Sequence, residues 1–187
     1  MSENAKNRLL ELLQNLGCTD GCAKFQATVR SAAGLYSSTV IVRFPDDRIV
    51  RGTGEGYDKT SAEIVAAQVA IDRIHNEHPD LIVNWDLINV EAQAGDALIK
   101  LGVYLSPRMG SPQDKSHRLQ EIESDSHLAT VFDRWKTERD PDLAAWGNGL
   151  GTKKKATLVE ALLWRRFGMD AIAANAAEKF DVLLKTL

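Results

Sequence analysis

Two cysteines, Cys18 and Cys22 in CTDGC, are all that the 187 residues contain. That excludes a disulfide scaffold, and so sparing a use of thiols fits a reducing compartment. A zinc site would need further cysteines, so the pair reads as the turn after a helix. No run of 18 apolar residues occurs, which leaves no candidate membrane-crossing helix. The opening MSENAKNRLLELL lacks a signal peptide's apolar stretch and reads as a first helix. Neither sign of charge is in excess: 23 Lys and Arg stand against 26 Asp and Glu, a net charge of -3. The strongly basic balance of many nucleic-acid binders is therefore missing, while local basic patches remain compatible with it. Repeats and low-complexity tracts are missing too. The expectation is a cytoplasmic or organellar-matrix protein, long enough for one well-packed domain or two small ones.

What is present falls into two halves. NAKNRLLELLQNL, residues 4–16, carries Leu9, Leu10, Leu12, Leu13 and Leu16 at helical spacing and stops at Gly17. KFQATVRSA alternates at Phe25, Ala27 and Val29, and a turn falls near Gly34. SSTVIVRFP alternates again, and the DD pair at 46–47 marks a hairpin before a third strand, RIVRGTGEG. SAEIVAAQVAIDRI, residues 61–74, is an alanine-rich helix expected to bury Ala62, Val65, Ala66, Val69, Ala70 and Ile74. Residues 1–78 are thus expected to form an α+β domain of order α-β-β-β-α, an antiparallel meander covered on one face by both helices. HNEHPDLIVNWD, residues 75–86, reads as a connector outside either core, with His75 and His78 at a solvated helix end. No convincing strand pattern follows residue 80. A helix to about Leu105, capped by Asp86 or Asn89, precedes a turn-rich break at 106–115. One or two helices over 116–139, a loop or short helix ending in WGNGLG, a strong helix over 153–167 and a last one in MDAIAANAAEKFDVLLKTL complete an all-α domain over 79–187.

GTGEGYDKTSAEIVAAQVAIDRI, residues 52–74, resembles the closing segment of the double-stranded RNA-binding domain. Gly54, Gly56, Lys59, Ala62, Ala66 and Ala67 fit that pattern. In it, glycines make a tight turn and lysines at a helix N-terminus meet phosphate oxygens. Glu11 and Gln14 fall where the family touches the RNA minor groove, and order and length agree over residues 5–77. Thr60 and Glu63 stand in place of basic residues, and GLYSS lacks the family's histidine, which weakens the electrostatic part of binding. The resemblance implies binding of structured or double-stranded RNA through Glu11, Gln14 and Lys59. The alternative is the same fold used for protein contact.

AGDALIKLGVYL, residues 94–105, and ATLVEALLWRRFG, residues 156–168, resemble the first and last signatures of the ribonuclease III catalytic domain. SDSHLATVFDRW and WGNGLGTKKKA follow the order of its intervening helices and polar loop. That family holds Mg2+ or Mn2+ on four carboxylates. The matching positions here are Ala92, Asp96, Thr157 and Glu160, so two carboxylates remain and two positions are degenerate. Glu91 adjoins one gap but points about 100° away around a helix. The small enzymes called Mini-ribonuclease III share these departures and the abrupt start, but lack an attached RNA-binding domain. The resemblance implies a catalytic and metal-binding pair, Asp96 and Glu160, with Lys153, Lys154 and Lys155 near the phosphate path. It also implies a homodimer through the C-terminal domain and a role in ribosomal-RNA or duplex-RNA processing. Two functions stay open: a metal-dependent endoribonuclease, or a non-cleaving relative that binds RNA or protein, for example in ribosome assembly. In the second, Asp96 and Glu160 pair internally with Lys or Arg, since unpaired burial is expensive.

The remaining candidates carry less. Trp135, Trp146 and Trp164 read as core or subunit-interface aromatics. EIESD, residues 121–125, is a weak metal candidate that reads as an exposed helix boundary, and His117 and His127 have no partner spacing.

Overall fold

The computed structural model describes residues 4–19, 21–26, 29–30, 34–105 and 111–170. The chain divides into two compact units, Met1–Val83 with Asp140–Leu150, and Asn84–Arg139 with Gly151–Leu187. The first is α+β and the second is helical throughout its described residues.

In the first unit, α1 spans Ala5–Asn15 and is capped by the Asn4 side chain, which accepts the Lys6 N–H. Leu9, Leu13 and Leu16 form its buried stripe, while Leu10 faces outward. Four strands follow: β1 (Ala23–Phe25), β2 (Val29–Arg30), β3 (Tyr36–Arg43) and β4 (Ile49–Gly56). β1 and β2 pair in succession along one edge of β3, and β4 runs antiparallel along the other from Tyr36↔Gly56 to Arg43↔Ile49. The first expected strand is thus present in two pieces, with Ala27 outside the described residues. The hairpin at 46–47 closes with Asp47 at φ 67 and the Phe44 N–H bonded to the Arg48 carbonyl.

Helix α2 spans Lys59–Glu77 and lies against β4. RIVRGTGEG is a strand as expected, and one sequence expectation changes at this contact: α2 buries Ala67 and Ile71, leaving Val65 exposed and Val69 half-buried. A methyl group on Gly52 would overlap the Ala66 carbonyl oxygen, and one on Gly54 would overlap the Ala66 nitrogen. Glycine normally weakens a strand; here it lets the backbone of a helix settle closely onto the sheet. The helix therefore sets Ala62, Ala66 and Ala70 over the β4 glycines, with Val65 at the edge of the contact beside Gly54.

Two segments expected to be peripheral complete this unit. Pro79–Leu81 forms a single 3-10 turn that buries Leu81 fully in the core, while Asp80 pairs with Arg48 at 2.7 Å. Residues 140–150 return to α1: the Gly147 N–H donates to the Leu16 carbonyl at 2.7 Å and the Gly149 N–H to Gly17 at 2.8 Å, with Trp146 packed on the core. Gly17 has φ +72, and a side chain there would strike Leu150.

In the second unit, α3 spans Trp85–Leu105, α4 Pro112–Ile122, α5 Asp125–Thr137 and α6 Thr152–Leu163, continuing into a π-helical turn at Trp164–Gly168. Asn84, rather than Asp86 or Asn89, caps α3, its side chain accepting the Leu87 N–H at 3.0 Å. Ser111 and Ser124 cap α4 and α5. Helix α6 packs against both α3 and α5, burying Ala156, Leu158, Val159, Ala161 and Leu162. The expected last helix lies outside the described residues beyond Asp170. Among the described residues, no helix is long and apolar enough to cross a membrane.

Candidate functional site

The site is built at the crossing of α3 and α6. Gly95 is buried there, and a methyl on it would overlap the Glu160 carbonyl oxygen. That close approach sets Asp96, the next residue on α3, beside Glu160 on α6. One turn further along α3, Lys100 places its Nζ 2.6 Å from Asp96 Oδ2 and 3.9 Å from Glu123 Oε2. Glu123 comes from the corner between α4 and α5, and its Oε2 is buried without a hydrogen bond. Asp125 opens α5 close enough to act on Glu160 electrostatically.

The electrostatics follow from this crowding. Burial is the main cause that pushes the Glu160 carboxyl from its ordinary 4.5 to about 7, with Asp96, Asp125 and Glu123 adding repulsion and Lys100 opposing them. The hydrogen bond to Asp96 raises Lys100. The cluster holds four carboxylates around one ammonium.

The two degenerate positions do not compensate. Ala92 is buried and Thr157 half-buried. Glu91 turns away to Arg165, which donates to it at 2.6 and 3.0 Å. Among the described residues, no group of three or more His, Cys, Asp or Glu is arranged to hold a metal ion. As they stand, the side chains do not fit the expected Mg2+ or Mn2+, because the cation position beside Asp96 is taken by the Lys100 ammonium.

The lysines of KKK lie in the first turns of α6. The start of this helix has Gly151 as N-cap, no side-chain cap and no acidic residue in its first turn. Lys153 and Lys154 are exposed. Lys154 also lies over the Trp85 ring at 4.6 Å, and Lys155 donates to Asp133 at 2.7 Å.

The first unit carries Glu11 and Gln14 exposed on α1, and Lys59 exposed as the first residue of α2. The N-terminus of α2 is already occupied, however. The Asp58 carboxylate accepts the Ser61 N–H at 2.7 Å, and Ser61's backbone and side chain hold it below the usual carboxylate range. Glu63 pairs with Lys6. Glu11 also lines an open pocket of about 400 Å³ with Arg8, Leu12, Asn15, Ile71 and His75.

Sequence reasoning missed Lys100, and set Glu123 and Asp125 aside with EIESD as an exposed helix boundary. The first was visible in principle, since Asp96 and Lys100 have the i,i+4 spacing of a helical ion pair. Compared with known proteins, the chain matches no family model, no curated protein and no solved structure.

Proposed function

We propose that this protein binds structured RNA without cutting it, as a non-cleaving relative of ribonuclease III carrying a divergent double-stranded RNA-binding domain. One feature, the composition of α6, carries the reading. Lysines at a helix N-terminus oppose the helix dipole and cost stability, so three in succession at an uncapped start suit an anion that arrives from outside. Phosphate is such an anion. About 10 Å further along the same helix, at 1.5 Å per residue, stands Glu160 in a cluster whose positive charge is supplied by Lys100 rather than left for a metal ion.

The setting is an RNA-rich one, the cytoplasm or an organellar matrix, with ribosomal-RNA precursors or ribosome assembly as the natural context. The proposal includes a homodimer through the helical unit. Leu87, Val90, Leu101 and Tyr104 are exposed on α3 at heptad-like spacing, with Ala94 and Ala97 between them.

Filter binding of an RNA duplex and of a ribosomal precursor, across a salt series, tests the reading. Log affinity should fall with log salt, and replacing Lys153–Lys155 with alanine should flatten that slope. Mg2+- or Mn2+-dependent cleavage that disappears in both Asp96→Asn and Glu160→Gln would establish the endoribonuclease instead. Asp58 favours a second reading, in which the first unit contacts protein: its carboxylate caps α2 where the resembled domain offers free N–H groups to phosphate. In that case Lys59→Ala leaves RNA affinity and its salt slope unchanged.

A further inference from the structure

We infer that the groove between α1 and α2 is a nucleotide pocket that takes a guanine base together with its phosphate. An unpaired guanosine of RNA and free guanosine monophosphate present the same chemistry to it. The first source rests on the RNA-binding reading above, and the second does not.

The groove lies wholly within the first unit. Helix α1 contributes Arg8, Glu11 and Leu12, at the i, i+3, i+4 spacing of one helix face. Helix α2 contributes Ile71 and His75, one turn apart, and the chain after Leu81 adds Ile82 and Val83. The floor is apolar and continuous with the core: Ile71 is buried in it, and Leu12 and Val83 pack against it. The cavity measures about 400 Å³, within the range of small-ligand sites. Its rim is charged, with Arg8, Glu11 and His75 all exposed. Arg8 and Glu11 have the spacing of a helical ion pair, yet among the described residues neither side chain makes an ion pair or a hydrogen bond. A positive and a negative charge therefore stand unneutralised beside one apolar floor.

A ligand that satisfies all of this has a flat apolar face, adjacent N–H donors and a negative charge. The face of a nucleobase covers the apolar floor, as bases held outside a helical stack do in other pockets. Guanine alone among the four bases sets two donors, N1–H and N2–H, side by side on its Watson–Crick edge. The two oxygens of the Glu11 carboxylate can accept both. Adenine in the same pose turns an acceptor nitrogen toward the carboxylate and is repelled. The Arg8 guanidinium, on the same face of α1, is the partner for the phosphate. His75, on the other helix, offers a ring nitrogen to the ribose hydroxyls. Glu11 is also the residue that the RNA-binding resemblance sets at the minor groove, so an unpaired base beside a duplex has a path to it.

The test is titration of guanosine and adenosine monophosphates into the full chain, followed by amide NMR. Guanosine monophosphate should shift Leu12, Ile71, His75 and Val83 and bind at least about tenfold more tightly than adenosine monophosphate. Glu11→Gln should abolish that preference, and Arg8→Gln should weaken guanosine monophosphate more than guanosine itself. Both variants place a good helix former at an exposed position, so the fold is kept. Filter binding of duplexes ending in one unpaired guanosine or one unpaired adenosine separates the two sources. A gain of at least about tenfold from the guanosine end identifies RNA. Equal retention of both duplexes, with guanosine monophosphate still preferred, identifies the free nucleotide. Two monophosphates that bind alike, no shifts in the groove, or a preference that survives Glu11→Gln would each overturn the inference. Duplex retention without any guanine preference sinks the pocket and leaves the RNA reading standing. Guanosine monophosphate bound by a protein that retains no duplex sinks the RNA reading alone.

Discussion

Glu160→Gln should stabilise the protein in a way that depends on pH. In the unfolded chain the carboxyl ionises near 4.5, and in the folded protein it keeps its proton to about 7. The native state is therefore the better proton binder between those values. Its stability falls as pH rises through this interval, and the penalty is complete above 7. The full shift corresponds to at most about 3.5 kcal/mol, at about 1.4 kcal/mol per tenfold change in proton affinity. Glu160 is only half-buried, and water screens the repulsion, so about 1–2 kcal/mol is the expected residue of that figure. Glutamine preserves the shape and cannot ionise. Thermal unfolding near pH 8 should then show a midpoint raised by about 2–8 °C, given about 2–4 °C per kcal/mol for a chain of this length. Near pH 4 the two proteins should melt together. A loss of stability near pH 8 that is absent near pH 4 would refute the reasoning, because it would mean that the ionised carboxylate makes a favourable bond outweighing its repulsion by Asp96, Asp125 and Glu123.

The other predictions concern packing and charge. Asp96→Asn should lower the midpoint at which Glu160 titrates, read by side-chain carboxyl NMR, because it removes one repelling charge and releases Lys100. Gly95→Ala should destabilise the helical unit by about 3 kcal/mol in urea denaturation, since α3 and α6 must move apart to admit the methyl. Gly52→Ala should cost a similar amount, about 3 kcal/mol, by forcing α2 off β4. Leu81→Ala should cost about 2–5 kcal/mol by denaturant titration, as for any fully buried leucine, and a near-neutral result would mean that the segment after α2 is solvated.

The helices were legible wherever one apolar face met one partner. Leu9, Leu13 and Leu16 mark the inward stripe of α1, and the absence of alternation after residue 80 matches the described residues of the second unit. Where packing partner and local pattern disagreed, the pattern misled. Val65 looks like a core residue of α2 by hydrophobicity, but the glycines of β4 draw in the helix backbone at Ala62, Ala66 and Ala70, and Val65 stays exposed at the edge of that contact. Leu81 opens the short apolar run LIV after Pro79 and Asp80, and nothing local reveals that it, rather than Ile82 or Val83, is the one fully buried in the core of the first unit. The site was legible in part. Asp96 and Glu160 could be singled out from their motifs, and the structure sets them beside each other across the Gly95 contact. Glu123 and Asp125 stood out only as weak candidates in EIESD and not as neighbours of Glu160, because whether a carboxylate at a helix boundary faces solvent or a neighbour depends on the angle of the α4–α5 corner, which no spacing encodes.

The return of residues 140–150 to α1 has a consequence for the order in which the chain takes shape during synthesis. The first unit emerges first, yet its Leu16 and Gly17 carbonyls lack their partners until Gly147 and Gly149 have been made, after the whole of α3, α4 and α5. The sheet and its two helices can gather early, but the last layer over α1 closes only through a contact of very long sequence separation, the kind that slows folding. The nascent N-terminal unit therefore waits with an unfinished edge while the helical unit is still being translated. A gene truncated after Val83 would produce a protein held in that waiting state, whereas one extended to Leu150 supplies the missing layer but omits α6, and with it Glu160.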